Sequence, residues 1–248
     1  MSSDQLRAHL EFFGELGVEG VRRDANWSRR ATPDPRVASE LPEATEAAPP
    51  QIVQVFSSAA DALAAIREDL GDCARCKLHR LGRRQIVFGV GNPDADLMFV
   101  GEGPGADEDI QGEPFVGRAG QLLTKIIAAC GWQRSDVYIL NVLKCRPPDN
   151  RNPLPPEVDN CRQYFERQFE ILRPEYIVCA GTVPAQALLE TAESVGKLRG
   201  RFHHYRGSTV LVTYHPSYLL RNPSAKKYVW DDMQMLLKEM GLPVPGRQ

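Results

Sequence analysis

The chain contains no run of about 18 apolar residues, so no membrane-spanning helix is expected. Behind Met1-Ser2-Ser3-Asp4-Gln5-Leu6-Arg7 there is no apolar segment of the kind a secretory leader needs. A cytoplasmic compartment is the expectation, and disulfides are not. No internal repeat is present. No Gly-Lys-Ser or Gly-Lys-Thr follows a glycine-rich turn, which excludes a phosphate-cradling P-loop. The charge balance is nearly even, with 30 basic and 32 acidic residues and a net charge of −2. Acid is missing altogether from residues 194–230, which hold Lys197, Arg199, Arg201, Arg206, Arg221, Lys226 and Lys227. That stretch reads either as a basic face for a polyanion or as a solvated surface neutralised from elsewhere in the fold.

What is present fits a globular protein. The 248 residues are 42% apolar and 25% charged, enough for one domain with an appendage. Leu6, Leu10, Phe13 and Leu16 recur at helical spacing, which predicts an amphipathic helix within residues 1–23. Residues 24–52 read as a Pro/Ala/Glu-rich linker carrying Pro33, Pro35, Pro42, Pro49 and Pro50, extended and without a core of its own. The main domain is expected over 53–248. It opens with a helix over 57–70. Short apolar runs at 97–100, 137–142, 176–180 and 210–214 predict four buried strands. Helical patterns at 120–129, 156–172, 183–189 and 225–240 separate or follow them. Strands alternating with helices argue for an α/β fold with a mainly parallel four-stranded sheet covered on both faces. Such sheets bind ligands at the carboxyl ends of their strands.

Six cysteines are present. Cys130 falls on the apolar side of a helix and Cys179 inside a strand, and both read as core residues. Cys73 and Cys76 form a C-x2-C pair in a turn, Cys145 follows a strand, and Cys161 lies sixteen residues further on. Two thiols in one turn and two from a second segment can surround a metal centre. Spacing leaves zinc and an iron–sulfur cluster both open. The second pair does not repeat the C-x2-C of a zinc ribbon, which leans toward a cluster.

The strand ends carry the remaining signals. After residues 97–100 comes Gly101-Glu102-Gly103-Pro104-Gly105-Ala106-Asp107-Glu108-Asp109. Its glycines allow close backbone approach to a ligand. Its four carboxylates would repel a phosphate and suit water or proton handling, or simply a polar turn and helix cap. Phe115, between Pro114 and Val116, is a hydrophobic plug or a stacking platform. Asn141 ends the second strand and offers both a donor and an acceptor, as reading a pyrimidine edge requires. His215 ends the fourth. Leu219-Leu220-Arg221 then sets an apolar tip beside a cation, fit either for wedging into a base stack or for a helix packed on the core.

Together these motifs resemble the family-4 uracil-DNA glycosylases, the iron–sulfur branch of their superfamily. The resemblance runs from about Asp72 to Gly241 and rests on Gly101-Glu-Gly-Pro-Gly, Pro114-Phe-Val-Gly, Asn141-Val-Leu-Lys-Cys-Arg-Pro-Pro, His215-Pro-Ser-Tyr-Leu-Leu-Arg and the four cysteines. It implies a three-layer α/β/α sandwich around a short, mainly parallel four-stranded sheet, and a four-iron four-sulfur cluster on Cys73, Cys76, Cys145 and Cys161. It implies flipping of a uracil nucleotide from single- or double-stranded DNA by a monomer, with no membrane partner. Glu102 would activate water and His215 would stabilise the departing base. Gly103, Phe115, Asn141 and Glu108 would hold uracil, Glu108 by excluding a 5-methyl group. Lys144, Arg146, Leu219, Leu220 and Arg221 would contact DNA. One branch of the superfamily attaches covalently to DNA through a His on a loop insertion. Here Asn141 runs straight into Lys144-Cys145-Arg146-Pro147, so turnover is expected. Two other readings are a non-catalytic iron–sulfur or polymerase-associated DNA-binding module, and a small-molecule enzyme of nucleotide metabolism.

Overall fold

A computed structural model describes residues 56–245. The helix expected within 1–23 and the linker at 24–52 lie outside the described residues. The first described helix, α1 (Ala59–Leu70), starts where the Ser58 side chain accepts the Asp61 N–H at 3.1 Å, and stops at Gly71, whose φ is 51°. A positive φ there costs glycine nothing.

The sheet has six strands in the order β1-β3-β2-β4-β6-β5. The four expected strands form its parallel centre: β2 (Leu97–Gly101), β3 (Tyr138–Asn141), β4 (Tyr176–Ala180) and β6 (Ser208–Thr213). Two antiparallel strands, β1 (Val90–Gly91) and β5 (Phe202–Tyr205), add the edges. Neither advertises itself in sequence. The first spans two residues, and Phe-His-His-Tyr lacks a clean apolar alternation.

Strand side chains alternate between two cores, which makes three layers. Met98 and Val100 of β2, with Ile177 and Cys179 of β4, pack against α1, α4 (Pro155–Leu172), α5 (Thr182–Leu189) and α6 (Val195–Leu198). Leu97 and Phe99, with Val178 and Leu211, face α3 (Arg118–Ala129), α7 (Pro216–Arg221) and α8 (Lys226–Glu239). Cys179 and Cys130 are buried, one in each core. The α4 helix begins with two prolines, which need no intrahelical N–H in the first turn, and Glu157 accepts the Leu154 N–H at 2.9 Å. Short α2 (Ala106–Gln111) follows β2 directly. All four central strands run in one direction, so their carboxyl ends meet along one rim. No described helix is long and apolar enough to cross a membrane.

Candidate active site

A cleft of about 840 Å³ opens along that rim, lined among others by Glu102, Gly103, Phe115, Asn141, Tyr214 and His215. The turns leaving β2 and β3 are tied together, since Val142 N–H donates to Gly101 O and Leu143 N–H to Glu102 O, both at 3.0 Å. Gly101 is confined from outside the strand. A Cβ there would stand 2.2 Å from Asn141 Oδ1 and 2.5 Å from the Phe115 ring. The amide and the ring therefore converge over a backbone with no side chain. Asn141 is 2% exposed, and its Oδ1 is buried with no hydrogen-bond partner among the described residues. A buried acceptor left unpaired costs about 1–3 kcal/mol, and an incoming donor would recover it.

Phe115 sits at φ 56°, a left-handed conformation that non-glycine residues adopt at a cost of about 1–3 kcal/mol. Two contacts hold it there. Helix α3 carries Gly120 where a Cβ would lie 1.9 Å from the Phe115 carbonyl, so the loop lies directly on the helix backbone. Glu108, 8% exposed, accepts the N–H groups of Val116 and Gly117 at 3.0 Å and of Gly105 at 3.1 Å. Glu108 lines the cleft as expected, with both carboxylate oxygens engaged by backbone.

His215 is the N-cap of α7. Its Nδ1 accepts the Ser217 N–H at 3.1 Å and lies 2.7 Å from Ser217 Oγ. Burial, with Arg221 nearby, pushes its pKa down to about 4. The ring is therefore neutral near pH 7. With Nδ1 accepting, the proton resides on Nε2, which is left as a donor. The ring stands 5.6 Å from that of Phe115. Gly181, at φ 112°, makes room for it, since a Cβ there would come within 3.1 Å of the His215 Cβ. Glu102 also lines the cleft, half-buried, and desolvation raises its carboxyl pKa.

The expected DNA-contacting residues divide. Arg221 is exposed and Leu220 is 38% exposed. Two expectations fail. Leu219 is 1% exposed, in the core where α7 packs on α3. Adjacent helical residues face different directions, so only Leu220 projects. Lys144 is 1% exposed, and its Nζ donates to Asn141 O at 2.8 Å. Burial draws its pKa down to about 7, opposed by Cys161 and Cys145. It braces the strand end and meets no solvent. Arg146 is half-buried and donates to Asn150 Oδ1 at 2.7 Å.

Of the four candidate ligand cysteines, Cys145 feels the charge of Cys161, Cys76 and Cys73, and Cys161 that of Cys76 and Cys73. Burial pushes the Cys145 thiol up to about 12, while Arg83 pulls it down. Cys161 is likewise raised by burial and lowered by the Lys144 backbone N–H. Arg75 lies 3.6 Å from Cys73 Sγ. Among the described residues no three His, Cys, Asp or Glu side chains form a single-ion site.

Sequence reasoning missed one cleft wall, where Asn150, Arg151, Gln186, Ser194 and Tyr218 line the rim. It also missed Ser217, which sets the His215 tautomer and was detectable as a hydroxyl two residues after a helix-capping His.

An open parallel sheet with a polar cleft at its strand ends defines a class, and the family model for the uracil DNA glycosylase superfamily matches residues 88–234. A type-4 uracil-DNA glycosylase of Archaeoglobus fulgidus is 40% identical over 188 residues, covering 73% of this chain and 94% of the relative. Type-4 enzymes of Thermotoga maritima and Saccharolobus solfataricus are 44% and 42% identical, over 68% and 70% of this chain and 90% and 84% of theirs. The chain belongs to the uracil-DNA glycosylase superfamily, in its type-4 branch.

Proposed function

We propose that the cleft hydrolyses the N-glycosidic bond of deoxyuridine in DNA, releasing uracil and leaving an abasic site. The observation that carries this is the unpartnered Asn141 Oδ1, buried beside the Phe115 and His215 rings. Uracil N3–H supplies the missing donor, and the amide N–H of Asn141 donates to O4. Cytosine carries no proton on N3 and an amino group in place of O4, so it leaves the pair unsatisfied. Sites built this way discriminate strongly.

A base inside a duplex must first be flipped, at a cost of a few kcal/mol. Leu220 fills the vacated stack, and Arg221 and Arg146 hold phosphates. Phe115 lies against the flipped ring, with Gly103 admitting it closely. As the C1′–N1 bond breaks, the bonding pair departs with N1, and negative charge spreads to O2. His215 Nε2–H donates to O2 and stabilises that charge without having to lose a proton first. The Glu102 carboxylate faces the sugar cation and takes the proton of the water whose oxygen bonds C1′. Glu108 acts through the backbone it holds. It fixes Phe115 at the position a 5-methyl group would need.

Cys73, Cys76, Cys145 and Cys161 would hold a four-iron four-sulfur cluster. Cys145 and Cys161 each feel the charge of Cys73 and Cys76, and Arg75 beside Cys73, Arg83 acting on Cys145 and a backbone N–H to Cys161 suit an anionic thiolate set. When bound, the cluster supplies a staple between the turn at 73–76 and the segment 145–161. The chain acts as a monomer on uracil in single- or double-stranded DNA.

The test is alkaline strand scission after incubation with oligonucleotides carrying a single uracil, cytosine or thymine. Cleavage at uracil alone is expected. Binding without scission would favour a non-catalytic module, and action on free deoxyuridine but not on DNA would favour a small-molecule enzyme.

A further inference from the structure

Three tyrosines and two cations form a continuous ladder from the cleft onto the outer surface. Tyr214 and Tyr218 line the cleft and stack on each other, with ring centroids 5.0 Å apart and planes 25° apart. Tyr214 then meets Tyr228 of α8 edge to face at 6.4 Å. The Arg199 guanidinium lies over two of the rings, 5.6 Å from Tyr214 and 5.0 Å from Tyr228. Buried Asp232 holds it there through two hydrogen bonds, at 2.7 and 3.1 Å, and the Tyr228 carbonyl accepts a third at 2.7 Å. Lys227 Nζ lies 4.8 Å from the Tyr228 ring. Tyr218 and Tyr228 remain 38% and 40% exposed.

A core function does not require this arrangement. Tyr218 and Tyr228 stay partly exposed, with the pinned Arg199 and the flexible Lys227 over the Tyr228 ring, from which the lysine can swing to a phosphate and uncover ring surface. All five residues come from the stretch without acid between positions 194 and 230. Of the carboxylates that flank it in sequence, Glu193 pairs with Arg201 at 3.6 Å, Asp232 is spent on Arg199, and Asp231 is exposed. Stacked rings flanked by lysine and arginine are how proteins hold unpaired nucleotides without reading their sequence. In a duplex the neighbouring bases are already stacked and offer no face to a tyrosine.

We propose that this ladder is a track for single-stranded DNA, holding the nucleotides on one side of the flipped uracil by base stacking on Tyr228 and Tyr218 and by phosphate contact with Lys227. The inference rests on the reading of the cleft as a uracil site. It adds a preference, with uracil in a single strand bound better than uracil in a duplex.

Tyr228 lies outside the cleft, so its variants separate affinity from chemistry. Tyr228→Leu keeps an apolar side chain and removes the π-face, whereas Tyr228→Phe keeps the ring. With single-stranded uracil oligonucleotides, Tyr228→Leu is expected to weaken affinity about 5- to 100-fold, the scale of losing one stacked base. Tyr228→Phe should bind within twofold of the parent, and the single-turnover excision rate at saturating DNA should hold in both. Duplex affinity should change little. Trimming the oligonucleotide on one side of uracil, but not the other, should cost the parent protein the same factor and cost Tyr228→Leu nothing further. Equal affinity of Tyr228→Leu and parent, or additive losses on trimming either side, would overturn the track. If the parent excises no uracil from any oligonucleotide, the reading of the cleft fails instead, whatever Tyr228 does to binding.

Discussion

At the scale of single residues, the site depends on polar atoms whose state is set by burial. Asn141 was legible as a strand-end amide, but the orphaned Oδ1 was not, because its isolation comes from Gly101 and Phe115 closing over it. Asn141→Asp replaces one donor with a second acceptor. It should slow uracil excision by tenfold or more and narrow the ratio of uracil to cytosine cleavage, measured on matched oligonucleotides. Glu102 gives a signed pH dependence. Its carboxylate must be ionised to take a proton from water, and desolvation raises its pKa. Excision should therefore be complete on the alkaline side and fall as pH drops through that raised value. Glu102→Gln, slower throughout, should lose this acid limb in single-turnover pH profiles. His215 adds no limb near neutrality, since it stays neutral down to about 4. Lys144 marks where sequence reading ran out. Lysines are almost never fully buried, so nothing in Asn141-Val-Leu-Lys foretells an amine turned back onto its own strand end.

Among the elements, the four parallel strands and the major helices were readable because apolar runs and helical periodicity are local. The edge strands β1 and β5 were not, since pairing with β3 and β6 creates them. The DNA-facing tip was half readable. Sequence placed two leucines together, and only packing of α7 on α3 decides that Leu219 goes inward and Leu220 outward. The β2 terminus carries the sharpest test at this scale. Gly101→Ala would drive a methyl into both Asn141 Oδ1 and Phe115. Excision should fall by about a hundredfold or more while far-UV circular dichroism and affinity for single-stranded DNA are retained, because the phosphate contacts lie elsewhere.

For the whole molecule, a shared rim of strand ends collects chemistry from segments more than a hundred residues apart, Glu102 and His215 among them. Sequence showed four thiols, whereas the charge that Cys73 and Cys76 exert on Cys145 and Cys161 is a property of the tertiary structure. Protein purified without air should contain about four irons per chain. Cys145→Ser should lose iron and lower Tm, read by metal analysis and thermal melting. The central claim is that the rim separates chemistry from binding, with a buried neutral imidazole donating to the departing base. The most direct measurement is the single-turnover excision rate of His215→Ala, taken alongside its affinity for uracil-containing DNA. The rate should fall by roughly a hundredfold or more, the scale for losing one such donor, with affinity within about threefold of the parent. An unchanged rate, or rate and affinity lost together in a folded protein, would contradict it.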